Sequence, residues 1–144
     1  MRRREKYPDT STFVYYNANP KGRITGDCLI RATSVATGIS YNDVVQALAD
    51  VQKETGYDGE DALEIMLERI GWIRCKQPRK TDNTKYTGKQ FCRWLNQHGD
   101  GNNVLANIGS NHIVAFKCAC DGKYKVFDIW DSTNGCVGKY WVKS

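Results

Sequence analysis

The sequence predicts an α+β protein in which helices come first and an antiparallel sheet follows. Apolar residues recur at helical spacing through the first two thirds of the chain, and alternating or continuous β patterns begin at residue 104. The pair Asp121-Gly122 separates two of these later runs and is typical of a tight hairpin turn. We therefore expect N-terminal helices packed on a C-terminal antiparallel sheet of about four strands.

Turn and capping residues divide the chain into these elements. We expect four helices, at residues 28–37, 41–54, 60–70 and from Thr87 onward, and four main strands, at residues 104–108, 112–120, 123–130 and 137–142. Asp27 is the predicted N-cap of the first helix, and Gly38 is its predicted C-terminal stop. Residues 13–16 and 72–75 are candidate short strands earlier in the chain.

No linker, repeat or low-complexity tract divides the 144 residues, so we expect one domain over residues 1–144. Hydrophobic residues make up 40% of the chain and aromatic residues 11%, which favours a globular protein over a disordered one. Residues 1–16 are expected to form a flexible or strap-like N-terminus.

The net charge of +5 includes the N-terminal run Arg2-Arg3-Arg4. No apolar segment follows this run, so we do not expect a secretory signal, and no stretch of apolar residues is long enough to span a membrane. We expect a cytoplasmic protein without a membrane partner. The other basic residues are scattered without a nucleic-acid motif, so we favour a solvated tail over nucleic-acid binding through the N-terminus and residues 74–89.

Six cysteines are present, and without a secretory signal we expect them to be reduced. Five lie in apolar patterns and are expected to be structural: Cys75, Cys92, Cys118, Cys120 and Cys136. There is no CxxC pair and there are two histidines, so we expect no metal site and no cofactor.

Cys28 differs from the other five because it stands at the predicted start of a helix. The partial positive charge and unpaired N–H groups of a helix N-terminus favour a thiolate over a thiol. His112 opens a later apolar run, and Asp128 follows on the next one. We interpret these three residues as a candidate nucleophile, base and orienter that meet where helices and sheet adjoin.

The order of these residues resembles that of the papain-like cysteine peptidases. Gly26-Asp27-Cys28 before a helix resembles the nucleophile segment of that superfamily. Asn111-His112-Ile113-Val114 resembles the run that opens its base strand. Asp128-Ile129-Trp130 resembles its Asn-Ser-Trp, with Asp in place of Asn as in the bacteriocin-processing C39 group. The overall likeness is greatest to small papain-like proteins encoded by bacteriophages and prophages, which share an Asp-Cys-x-x-Arg-Ala helix.

The resemblance implies a papain-like fold and a role for each matching residue. Cys28 would be the nucleophile, His112 the general base, Asp128 the orienter, and Trp130 a cover over the His112–Asp128 pair. The backbone N–H of Cys28 would supply one oxyanion donor. The usual glutamine upstream of the cysteine is missing, since Gly22 and Arg23 stand there, so the side chain of Asn19 or Asn17 is the candidate second donor.

The register of the two strands that flank Asp121-Gly122 decides which aspartate faces His112, and the sequence leaves this choice open. A two-residue turn at Asp121-Gly122 would put Asp131 opposite His112 and turn Asp128 to the other side of the sheet, whereas a longer loop would restore Asp128. We prefer Asp128, and Asp131 is the alternative.

The implied activity is a cysteine peptidase or isopeptidase, encoded by a phage or prophage, that acts on a protein or peptide substrate such as a host protein. A catalytically inactive binding or inhibitor protein on the same fold is the first alternative. A deamidase or an acyl or glutamyl transferase is the second, because fold alone does not determine activity.

Overall fold

The structure is a computed structural model that describes residues 2–24 and 26–144, so that Met1 and Thr25 lie outside it. The described residues form five helices and six strands. In chain order these are α1 (Arg3–Lys6), β1 (Phe13–Tyr15), α2 (Cys28–Thr37), α3 (Tyr41–Thr55), α4 (Gly59–Arg69), β2 (Trp72–Cys75), α5 (Gly88–His98), β3 (Val104–Ile108), β4 (His112–Cys118), β5 (Tyr124–Asp128) and β6 (Val137–Lys143). The predicted α+β class is confirmed.

All six strands belong to one mixed sheet with the order β1-β5-β4-β3-β6-β2. β1 pairs with β5 in parallel, and the other four pairs are antiparallel. The predicted sheet of about four antiparallel strands is therefore wrong in number and, at one edge, in direction. The chain adds the short early strands β1 and β2 to opposite edges of the β3–β6 core, so both candidate short strands are real.

Helix boundaries follow local chemistry closely. α2 begins at Cys28 and ends before Gly38, whose φ of 77° is a conformation that glycine adopts without strain. Ser40 caps α3 by accepting the backbone N–H of Asp43, and Thr87 forms a capping box with Gln90 at the start of α5. The four-residue helix α1 was not predicted.

The predicted N-cap of α2 is correct in position but not in its hydrogen bond. Asp27 occupies the N-cap position of α2, but its carboxylate makes no capping hydrogen bond. It pairs instead with the Arg31 side chain, one helical turn further on. The Asp27 carboxylate therefore binds a guanidinium and not the backbone N–H groups of α2.

The two faces of the sheet are covered by different helices. On one face, α2 and α4 pack against alternate residues of the central strands, including Leu105, Ile113 and Ala115. On the other face, α5 packs against Val114, Phe116 and their neighbours. α3 lies outside α2 and α4, and the three helices enclose a smaller apolar cluster around Val44 and Met66. None of the described helices is long and apolar enough to cross a membrane.

Candidate active site

Cys28 lies at the junction between the start of α2 and the start of β4. It is the first residue of α2, and its side chain is partly exposed. Its thiol lies beside the His112 side chain and the backbone of the next residue, Ile113. The helix start and the strand start therefore meet at the sulfur, as the sequence predicts.

The surroundings of Cys28 favour its ionised form. The hydrogen bond with His112 lowers the pKa of the Cys28 thiol below its usual range, while partial burial opposes this shift. The backbone N–H of Ile113 and the positive charges of His112 and Arg31 lower it further. Hydrogen bonding by a cation and by an N–H group stabilises a thiolate more than burial destabilises it here.

His112 joins Cys28 to Asp128. Its Nε2–H donates to Oδ2 of Asp128 at 2.5 Å, which leaves Nδ1 for the sulfur. Burial alone would lower the pKa of His112, but the hydrogen bonds to Asp128 and Cys28 outweigh it and raise the pKa to about 9. The geometry therefore favours a thiolate–imidazolium pair with a carboxylate behind it.

Trp130 covers the imidazole, as the resemblance implies. The ring centroids of Trp130 and His112 are 4.8 Å apart, with an angle of 41° between the ring planes. The indole therefore shields one face of the histidine ring from water.

The β4–β5 register explains why Asp128 reaches the histidine. Ala115 pairs with Phe127 and Cys118 with Tyr124, so that five residues, 119–123, form the connecting loop. Continuing this register by one residue places Asp128 opposite Val114, on the same side of the sheet as His112 and within diagonal reach. The two-residue turn considered for Asp121-Gly122 is wrong. The longer loop places the Asp128 side chain on the same side of the sheet as His112.

Asp131, the alternative orienter, binds Thr133. Its carboxylate accepts the backbone N–H of Thr133 at 2.9 Å and the Thr133 hydroxyl at 2.5 Å. It closes the turn after β5, and the structure does not bring it to His112.

Arg31 is the residue at this site that the sequence analysis missed. Its side chain is only 6% exposed and lies between two carboxylates. Nε donates to Oδ1 of Asp27 at 2.7 Å, and Nη1 donates to Oδ1 of Asp128 at 2.8 Å. The second oxygen of each aspartate has its own donors, so one guanidinium connects the start of α2 to the end of β5.

Asp27 stands at the end of this chain of hydrogen bonds that is farther from His112, and its second oxygen also has donors. Oδ2 of Asp27 accepts the Tyr41 hydroxyl at 2.8 Å and the Asn19 side-chain amide at 3.1 Å. Although burial would raise the pKa of Asp27, the bonds from Tyr41, Arg31 and Asn19 hold it below its usual range. A buried charge is tolerated when it is paired and hydrogen-bonded, and that condition is met at both aspartates.

A sequence signal for Arg31 was present. It is the one charged residue within α2, among small and apolar side chains, and stands four residues after Asp27. That spacing places the two on one helix face. A long charged side chain on an otherwise uncharged helix indicates a buried partner, although nothing in the sequence says that Asp128 is the second one.

Neither predicted oxyanion side chain is available in this geometry. The Asn19 amide donates to Asp27 and, at 3.4 Å, to the Tyr41 hydroxyl, while the Asn17 amide donates to the carbonyl of Arg23. Both asparagines hold the loop that leads into α2, so the structure corrects this expectation. The backbone N–H of Cys28 lies in the first turn of α2, where N–H groups have no partner within the helix.

The other cysteines have different surroundings. Cys92 is fully buried on α5, and burial raises its pKa to about 12. Cys75 and Cys118 are partly buried. Cys120 and Cys136 are exposed, so the apolar patterns around these two do not correspond to burial. Within residues 2–24 and 26–144, no group of three or more metal-ligating side chains comes together.

Comparison with known proteins identifies no relative: no family model matches the chain, and no match was found among curated proteins or solved structures.

Proposed function

We propose that this protein is a papain-like cysteine hydrolase that cleaves a peptide or isopeptide bond with Cys28, His112 and Asp128. One observation carries the proposal, which is that a single imidazole contacts both the Cys28 thiol and the Asp128 carboxylate. A nucleophile, a base and an orienter in this relation are the minimal equipment for acyl transfer through a thioester.

Each group has a defined task in the proposed reaction. The Cys28 thiolate attacks the carbonyl carbon, and the backbone N–H of Cys28 donates to the developing oxyanion. The His112 imidazolium then gives its proton to the leaving amine as the C–N bond breaks, which leaves an acyl-thioester. Neutral His112 next removes a proton from water, whose oxygen attacks the thioester and releases the acid and the thiolate.

Asp128 and Arg31 act on the histidine rather than on the substrate. Asp128 keeps the Nε2–H of His112 bonded, so that Nδ1 faces the sulfur and the imidazolium is stabilised. Arg31 holds the other oxygen of Asp128 at 2.8 Å and fixes the carboxylate. Arg31 is therefore a positioning residue in this mechanism.

The order of the elements also supports a papain-like identity. A cysteine at the start of an early helix precedes a histidine at the start of one strand and an acid at the end of the next. The Asp-Cys-x-x-Arg-Ala pattern, which small phage and prophage papain-like proteins share, has a structural meaning in this chain. Its aspartate and arginine form the buried pair beside the nucleophile. A phage or prophage origin and a host protein as substrate are part of the proposal.

A non-catalytic binding or inhibitor protein on the same fold is the second candidate. It is favoured by one observation, which is that both candidate oxyanion amides, of Asn17 and Asn19, are engaged within the loop that leads into α2. A site with a single backbone donor would stabilise the oxyanion less well.

Cleavage of a proteome-derived peptide mixture tests the proposal, because such a mixture presents many sequences at once. The mixture is incubated with the wild type, Cys28→Ala or His112→Ala, and new termini are identified by mass spectrometry. We expect new N-termini with the wild type and none with either variant. Cys92→Ala is the matched cysteine control and should retain cleavage.

Other outcomes separate the alternatives. Conversion of glutamine to glutamate without new termini would indicate a deamidase, and joined peptides would indicate a transferase. If the wild type and Cys28→Ala give identical peptide patterns while both bind the same protein from the host, the hydrolase proposal fails in favour of the binding module.

A further inference from the structure

A groove of about 470 Å³ opens beside the candidate nucleophile, on the helical side of the molecule. It lies between the first turn of α2, the middle of α3 and the start of α4, and it is outside the Cys28–His112–Asp128 cluster. Ligand sites typically have volumes of roughly 300–1,000 Å³. Its apolar lining comes from six side chains: Leu29, Ile30, Val45, Leu48, Ala49 and Ala62.

The groove adjoins the candidate site along the first turn of α2. Asp27 and Leu29, the neighbours of Cys28 on either side, both line it. Since successive Cα atoms lie about 3.8 Å apart, Cys28 is one residue away from the lining of the groove on either side. Leu29 and Ile30 line the groove, whereas the Cys28 thiol contacts the start of β4.

Large exposed apolar side chains lie in the groove lining or in the chain segments next to it. Val45, which lines it, is 41% exposed, and Tyr57, which immediately precedes the lining residue Asp58, is 55% exposed. Ile24 is 52% exposed and stands two residues before the lining residue Gly26. Apolar surface of this kind around a groove is typical of a surface that a partner covers.

Charge identifies the chemistry of that partner. Residues 40–70, which hold α3 and α4, contain eight acidic and two basic side chains, a net charge of −6. The rest of the chain contains eight acidic and nineteen basic side chains, a net charge of +11. The groove thus lies in a strongly acidic segment of a basic protein, in which Arg74 and Lys139 neutralise two of the acids, Glu64 and Glu60. Asp58 is among the lining residues of the groove. Such a surface attracts cationic ligands and repels anionic ones.

We propose that the substrate is a polypeptide segment with a large apolar side chain next to lysine or arginine residues. The apolar side chain occupies the groove between α2, α3 and α4, and the basic residues face the acidic surface of α3 and α4. The bound segment then runs across the N-terminus of α2 to Cys28. This inference rests on the proposed hydrolase function and names the substrate class of that site.

Binding to an inactive variant tests the inference separately from catalysis. Labelled peptides are titrated into Cys28→Ala and followed by fluorescence anisotropy. Three sets are compared, in which leucine is flanked by lysines, leucine is flanked by glutamates, or serine is flanked by lysines. We expect the leucine–lysine set to bind at least about tenfold more tightly than either of the others, a preference that weakens with added salt.

Variants of the groove identify the binding surface. Ala49→Trp, introduced into Cys28→Ala, fills the groove and should remove the preference for leucine over serine. Gln97→Trp is the matched control, because Gln97 is exposed on α5 at the opposite face of the sheet. Asp58→Asn should reduce the preference for lysine, whereas Glu5→Gln, an exposed acid on α1, should not.

Three outcomes would overturn the inference. The first is equal binding of all three peptide sets, and the second is a leucine preference that survives Ala49→Trp. The third is a dimer that dissociates on Ala49→Trp, because it would assign the groove to a second copy of the chain. A failure of the hydrolase proposal is distinguishable, since it appears as intact peptides with the wild type even where Cys28→Ala binds selectively.

Discussion

Two cysteines on helices that cover opposite faces of one sheet have opposite chemistry. Cys28 begins α2 and contacts His112, and its pKa is lowered. Cys92 lies inside α5, is fully buried, and has a pKa raised to about 12. Burial raises the pKa of both thiols, and only Cys28 has partners that reverse the effect.

The two regions are stabilised in correspondingly different ways. Around α5 there is an apolar cluster in which Phe91 contacts Phe116, Tyr140 and Trp94, with ring centroids 5.2–5.8 Å apart. The buried polar chain Asp27–Arg31–Asp128–His112 instead joins the start of α2 to the start of β4 and the end of β5. The α5 aromatic cluster and the buried polar chain therefore lie in separate regions, which makes them separable by mutation.

Removal of Arg31 should have the largest effect. Arg31→Met leaves two buried carboxylates without their cation, which should cost about 3–5 kcal/mol of unfolding free energy. Arg74→Met is the matched control, since Arg74 pairs with Glu64 at 3.1 Å but is 54% exposed, and it should cost less than about 1 kcal/mol. Urea unfolding of both variants measures the difference. Equal costs would mean that the buried chain contributes no more than a surface pair.

An apolar truncation in the aromatic cluster should affect stability alone. Phe91 is fully buried, so Phe91→Ala should cost about 3–5 kcal/mol through lost packing and a cavity. In conditions where the variant is folded, the alkylation rate of Cys28 should equal that of the wild type, because Phe91 packs in the α5 cluster and not against α2. A changed Cys28 rate in the folded variant would contradict the separation of the two regions.

Asp128→Asn should move the titration of His112. Because the pKa of about 9 lies above the ordinary value of 6.5, the folded state favours the imidazolium. The resulting stabilisation is present below about pH 6.5 and is lost as the pH rises through about 9. Without the carboxylate, the pKa of His112 should fall and the loss should begin at lower pH. An NMR titration of the His112 ring in both proteins measures this shift, and identical midpoints would exclude Asp128 as the cause.

The sequence predicts the elements better than their assembly. The boundaries of α2 follow from local signals, above all Gly38 at its end. The β4–β5 register does not, because the five-residue loop at 119–123 contains the same Asp-Gly pair that a two-residue turn would use. The parallel pairing of β1 with β5 joins residues more than 100 positions apart, and no local pattern encodes such a contact.

Some residues of the candidate site are likewise predictable from the sequence, whereas the roles of others are not. Cys28, His112 and Asp128 could be named because their residue types and neighbours match a familiar pattern. The role of Arg31 could not, because its two carboxylates come from the start of α2 and from the end of β5, 97 residues away. The partner of Asn19 was not predictable either, because its amide donates to the Asp27 carboxylate and not toward the Cys28 sulfur.

The most direct test of the central claim is the pH dependence of alkylation at each cysteine. The wild type and His112→Ala are treated with iodoacetamide between about pH 5 and about pH 9, a range that spans the ordinary pKa values of histidine and cysteine. The rate at each cysteine is read by mass spectrometry, with exposed Cys136 as the internal reference and buried Cys92 as the unreactive one. We expect Cys28 of the wild type to react about tenfold faster than Cys136 at about pH 6, and to lose this advantage in His112→Ala. Matching profiles for Cys28 and Cys136 in the wild type would contradict the thiolate–imidazolium pair and the hydrolase proposal with it.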